Sequence, residues 1–208
     1  MSTPLTLALL FLGFFTYLFV FWRRLKDDYA SPLIFVSSFF QLVLIILIYF
    51  AANRFLAPKL YPSELIAPQG LWFWAVIASL FVSQIVIARL TEMKYYEVFE
   101  ASALSSLYLL IAFFLGKTLF LGAGLSLGLV ALYYFLDHNY KRFAWYRSGK
   151  VGFSALTTLA IFFLVRALVA FIAPEALLLF GKIDTIISSL AAMITFASLY
   201  QLAESQKQ

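Results

Sequence analysis

A chain of 208 residues that is 64% hydrophobic and 12% charged, with a mean hydropathy of +0.95, lies far outside the range of water-soluble domains. The absence of cysteine excludes disulfides, thiolate nucleophiles and Cys-ligated zinc or iron–sulfur clusters, and a lone histidine, His138, excludes a His-rich metal site within one chain. The net charge of +5 has no soluble basic domain to rest on, so neither a nucleic-acid partner nor a metal or organic cofactor is expected.

A helix needs about 20 apolar residues, at about 1.5 Å rise each, to cross a hydrocarbon core of about 30 Å. Uncharged stretches that meet or approach this length recur seven times, over 4–22, 32–52, 71–88, 98–116, 118–136, 151–173 and 183–203. Segments such as LVLIILIYFAA and LTTLAIFFLV are apolar on every face, where a β-barrel strand would alternate. The sequence therefore predicts an all-α, polytopic membrane protein made of one seven-helix domain over 1–208.

The first stretch has no basic residue before it, no A-x-A cleavage pattern, and FWRRLKDD directly after it, which predicts a retained span with a stop-transfer flank. Between the second and third spans, NRFLAPKLYPSELIAPQG carries Pro58, Pro62 and Pro68 and reads as an irregular connection. Glu97 and Glu100 open the fourth span, where carboxylates suit the helix dipole and Lys94 stands nearby. Only Gly116, Lys117 and Thr118 separate the fourth span from the fifth. Gly124 and Gly128 make a small-xxx-small pair on the fifth, a pattern expected to pack against another helix. The pairs Ser105/Ser106 and Ser188/Ser189 read as hydroxyls bonded to their own helix or to a neighbouring one.

The stretch DHNYKRFAWYRSGK (137–150) interleaves basic and aromatic side chains and reads as a loop at the membrane surface. Lys141, Arg142, Trp145, Arg147 and Lys150 are its candidate contacts to anionic lipid. His138 reads as a solvated loop residue rather than a general base. The basic residues also set an orientation. Ten of the 15 Lys and Arg fall at the odd-numbered connections and the carboxy terminus, four fall on the other side, and one lies within a span. By the positive-inside bias the amino terminus is expected outside and the carboxy terminus in the cytosol.

The residue within a span is Arg166, on the sixth. An arginine at the bilayer centre costs roughly 2.5–3.5 kcal/mol on insertion scales, so it demands a reason. One reading is an ion pair that staples two helices, with Asp184 early in the seventh span as partner. Another is a bidentate grip on a lipid phosphate. The two are compatible.

Seven spans with a basic end to the first, together with GLWFWAVIASLFVSQIVIARLTEMKYYEVFEASA (70–103), GKVGFSALTTLAIFFLVRALVAF (149–171) and the following GKIDTIISSLAAMITFASLYQLAES, resemble the bacterial prolipoprotein diacylglyceryl transferase family. That family moves a diacylglyceryl group from phosphatidylglycerol to the cysteine thiol of a lipoprotein precursor, on the outer side of the cytoplasmic (inner) membrane. The resemblance implies phospholipid and a lipoprotein precursor as partners. It aligns Arg166 with the sixth-helix arginine of the family and makes it the candidate catalytic and phosphate-binding residue. Other positions depart from the pattern. Trp74 stands where the family has the histidine of its His-Gly-Gly motif, Ala170 where it has an acid, and ASALSSLYLLIAFFLG lacks the Gly-Arg-x-Gly-Asn-Phe signature. Electrostatic catalysis by one cation without a base forgoes several kcal/mol. The expectation is accordingly a shortened relative that holds lipid phosphate through Arg166 with reduced or no catalysis. A non-enzymatic membrane scaffold or partner-binding subunit, and a small transporter, are the competing readings.

Overall fold

The computed structural model describes residues 3–51, 54, 69–116, 118–143, 146, 151–172 and 182–204. Among them the ordered elements are helical, as a lipid environment requires: with no water to satisfy backbone groups, a helix satisfies them within itself. In chain order they are α1 (Thr3–Leu25), α2 (Ser31–Ala51), α3 (Gln69–Leu90), α4 (Tyr95–Gly116), α5 (Phe120–Asn139), α6 (Phe153–Ile172) and α7 (Lys182–Glu204), with a 3-10 turn, Tyr140–Arg142, after α5. Six of them contain stretches long and apolar enough to cross a membrane: Ala8–Leu25, Ser31–Ile48, Tyr95–Gly116, Phe120–Arg142, Phe153–Ile172 and Asp184–Glu204. Within α3, Phe81–Leu90 is a shorter apolar segment.

The central helix is α4, packed by α1, α3, α5 and α6. Some 67% of it is buried inside the protein, against 22% of the Ala8–Leu25 stretch. Its sequence explains the placement, since small residues (Ala101, Ser102, Ala103, Ser105, Ser106, Ala112) let neighbouring backbones approach. At the α1 crossing Gly13 lies directly against Ala112, with no room for a side chain on the glycine. The remaining pairs are α6 with α7, α2 with α3, α5 with α6 and α1 with α2. Phe11, Phe15, Phe35, Phe39, Phe171 and Ile172 turn outward, as lipid-facing side chains do.

Polar groups inside the bundle are joined rather than scattered. The Tyr17 hydroxyl donates to Gln41 Oε1, Gln41 Nε2 donates to Ser102 Oγ at 2.8 Å, and Ser102 Oγ donates to the Val98 carbonyl at 2.7 Å. This chain of bonds ties α1, α2 and α4 together in a setting where an unpaired polar group is costly.

Two expectations about connections change. The segment 137–150 is not loop from its start: α5 continues through Asp137 and His138 to Asn139, and His138 is exposed on the last turn. At the other end of α5, α4 stops at Gly116 and α5 begins at Phe120, with Thr118 in the left-handed region at φ 60°. The Leu119 amide donates to the Phe114 carbonyl (2.8 Å) and the Thr118 amide to the Leu115 carbonyl (3.0 Å), which satisfies two carbonyls at the end of α4 and permits so short a turn.

Candidate functional site

Arg166 and Asp184 meet across the α6–α7 interface. Arg166 Nη2 donates to Asp184 Oδ2 at 2.7 Å and Nε donates to Oδ1 at 3.1 Å, a two-pronged geometry in which the guanidinium is 3% exposed and the carboxylate fully buried. Two further donors reach Asp184 Oδ1: Trp74 Nε1 on α3 at 3.0 Å and Ser188 Oγ, one turn along α7, at 3.4 Å. The Trp74 ring also lies under the guanidinium, 5.4 Å from its carbon, and stacks on Phe163 at 6.0 Å between centroids. Three helices thus converge on one carboxylate. The pair is neutral as a unit, which is how an arginine and an aspartate are tolerated at this depth.

Trp74 entered the sequence reading only as the residue standing where the resemblance places a histidine. Its indole N–H takes a donor's position toward Asp184, and its ring covers the cation. Ala170 is buried and apolar, so it brings no second acid to the pair. Among the described residues no group of three or more His, Asp or Glu side chains is spaced to hold a metal ion.

Arg166 also forms part of the wall of a groove of about 270 Å³ between α5 and α6, floored by Phe114 of α4. Gly124 and Gly128 line this groove, and nothing lies within 4 Å of where a side chain would begin on either. The small-xxx-small pair therefore does not pack a helix, contrary to its usual meaning; it leaves a channel in the lipid-facing surface. Gly122, two residues before Gly124, is the glycine that packs: a methyl there would come 2.6 Å from the Phe114 ring. The remaining wall is apolar, from Leu125, Leu129, Leu132, Ile161, Phe162 and Val165, apart from Ser126. Ser126 is 1% exposed and, among the described residues, its hydroxyl has no hydrogen-bond partner, so one unsatisfied polar atom lies at the groove, beside the paired Arg166.

The remaining candidates lie elsewhere. Lys141 and Arg142 are exposed on the 3-10 turn, with the Lys141 ammonium 5.8 Å from the Tyr140 ring centroid. Trp145, Arg147 and Lys150 fall outside the described residues. Glu97 does pair with Lys94, at 3.0 Å, as its place on the first turn suggests. Glu100 does not share that role: it is 3% exposed, in the second turn of α4, and lies 3.6 Å from Arg24 of α1. Arg24 in turn makes two bonds to Asp137 of α5, of 2.9 and 2.7 Å. This second ion-pair cluster was invisible in the sequence because all three residues sit near helix ends, where charges read as topology signals. Ser105 and Ser106 donate to the Ala101 and Ser102 carbonyls, both at 2.7 Å, and so stay within their own helix.

Compared with family models, with curated proteins and with solved structures, the chain matches none.

Proposed function

We propose that this is a lipid-binding integral protein of the bacterial cytoplasmic membrane, crossing it seven times with the amino terminus outside and the carboxy terminus in the cytosol. On this reading α3 crosses the membrane as well as the other six helices. The α5–α6 groove holds one chain of a phospholipid from the outer leaflet, with an ester oxygen at Ser126 and the polar backbone of the lipid beside Arg166. The protein is a shortened relative of the prolipoprotein diacylglyceryl transferases that keeps a lipid contact with reduced or no catalysis.

The single observation that carries the proposal is the groove itself. It is apolar, open toward lipid, kept clear by Gly124 and Gly128, and bordered by an intramembrane arginine and an unbonded buried hydroxyl. Two features favour binding over turnover. The guanidinium already faces the Asp184 carboxylate, so stabilising a departing phosphate would mean competing with that carboxylate. The positions that the resemblance assigns to a histidine and a second acid hold Trp74, which donates to Asp184, and Ala170.

Purified protein should retain phospholipid through delipidating washes, and Gly128→Leu should reduce that retention by filling the groove. Offered phosphatidylglycerol and a cysteine-containing lipobox peptide, the protein should form no thioether product. Turnover lost in Arg166→Ala would make the protein a catalyst and overturn this part of the proposal. Equal lipid retention in Gly128→Leu and the parent would remove its basis in the groove.

A further inference from the structure

A second cleft, of about 530 Å³, opens on the other side of α5, between α1, α4 and α5. Its α5 contribution, Tyr134, lies beyond the stretch from Gly122 to Leu132 that lines the first groove, and its cations, Arg23 and Arg24, belong to the last turn of α1. Its chemistry is divided. Phe19, Val20 and Leu104 contribute apolar surface, and Thr16, Arg23, Arg24 and the phenols of Tyr108 and Tyr134 contribute polar groups.

The two guanidiniums that line this cleft are not paired alike. Arg24 is matched by Asp137 and approached by Glu100. Arg23, its neighbour in sequence, is exposed and makes no ion pair with any acidic side chain among the described residues. A concave site that combines a guanidinium without an ion pair, two phenolic hydroxyls and apolar side chains on membrane-spanning helices matches an amphiphile with an anionic head. A soluble anion would leave the apolar side chains unused, and a zwitterionic lipid would set its own ammonium against Arg23.

We infer that this cleft binds one anionic phospholipid of the leaflet opposite to that served by the first groove, with its phosphate on Arg23, the Tyr108 and Tyr134 hydroxyls on the headgroup oxygens, and an acyl chain along Phe19 and Val20. The two sites use separate residues, so this inference stands whether or not the α5–α6 groove holds lipid.

Native mass spectrometry of the detergent-purified full chain, titrated with dioleoylphosphatidylglycerol or dioleoylphosphatidylcholine, provides the test. The expected result is a phosphatidylglycerol adduct preferred over phosphatidylcholine. Arg23→Gln should weaken it about tenfold, the loss of one charge-assisted contact. Arg89→Gln, which removes an exposed cation at the end of α3, should leave it unchanged. Unaltered phosphatidylglycerol binding in Arg23→Gln overturns the inference, and so does an equal loss in Arg89→Gln, which would mark a general charge effect. Displacement by the chainless headgroup glycerophosphoglycerol at the same concentration as the lipid would also overturn it, by showing a site for anions rather than lipids. Loss of phosphatidylglycerol binding in Gly128→Leu but not in Arg23→Gln would leave the groove proposal standing while this one fails.

Discussion

Arg24 and Asp137, 113 residues apart in the chain, face each other through two nitrogen–oxygen contacts of 2.9 and 2.7 Å, and Glu100 closes the arrangement from α4 at 3.6 Å from the same guanidinium. One side chain of α1 thus fixes the relative height of α4 and α5. The Arg24 side chain is 32% exposed and that of Asp137 22%, so the pair is neither a surface contact nor a sealed one.

Asp137→Asn keeps the shape of the side chain and removes its charge. Loss of a partly screened pair that leaves Arg24 facing only Glu100 should lower stability by about 2 kcal/mol, between the values for exposed and for fully buried pairs. A thermal or SDS titration followed by tryptophan fluorescence would measure it, and a change of a few tenths of a kcal/mol would mean the contact is ornamental.

The Arg166–Asp184 pair is sealed, and a different result is expected. Arg166→Met alone leaves a buried carboxylate without its paired cation, still bonded by Trp74 and Ser188, and should cost about 3–5 kcal/mol, whereas Arg166→Met with Asp184→Leu should recover most of that loss. Trp74→Phe keeps the stacking on Phe163 but removes one donor to Asp184, for about 1–2 kcal/mol. A double variant less stable than the single one would show that the pair contributes more than mutual neutralisation.

Glycines of one helix should separate by function. Gly122→Ala drives a methyl into the Phe114 ring and is expected to destabilise by about 1–3 kcal/mol, as overpacking does. Gly128→Ala meets open space and adds helix propensity, so its stability should be unchanged or slightly higher. Comparing unfolding midpoints of the two variants tests whether the channel is open as described.

Alkaline pH should weaken the α1–α2 turn. The Tyr29 hydroxyl donates to Glu97 Oε2 at 2.5 Å and accepts from the Lys94 amide at 3.0 Å. Burial, then the bond to Glu97, raises the pKa of Tyr29 above its ordinary 10.0; the bond to Glu97 also raises that of Lys94 above 10.5. Both groups are protonated more firmly in the folded state, so their contribution is complete below those ordinary values and declines as pH rises through the folded ones. Tyr29→Phe should flatten the alkaline limb of the stability profile. An unchanged limb would place its origin elsewhere.

Much of this architecture could be read from apolar run length alone, because lipid forces each run to satisfy its backbone internally and leaves little choice but a helix. The ends of α4 and α7 fall within three residues of the expected boundaries. Arg166 and Asp184 were legible for the same reason, since an ionisable residue in an apolar run has few explanations. Arg24, Glu100 and Asp137 were not, as charges at helix ends carry topological meaning and conceal structural meaning. Asp137 in particular begins a polar stretch that resembles a loop, yet it completes a helix. Nor could the spacing of Gly124 and Gly128 reveal whether a neighbour fills the gap, because that depends on which helix lies opposite.

The contact of Gly13 with Ala112, and the bonds that run from Tyr17 through Gln41 to Ser102, bear on how the protein is made. The end of α1 leaves the ribosome about 70 residues before α4 begins, which at typical synthesis rates is on the order of several seconds. During that interval Tyr17 and Gln41 have each other but not the serine that completes their bonding. The amino-terminal helix is thus made early and completes its packing late, once α4 supplies Ala112 and Ser102.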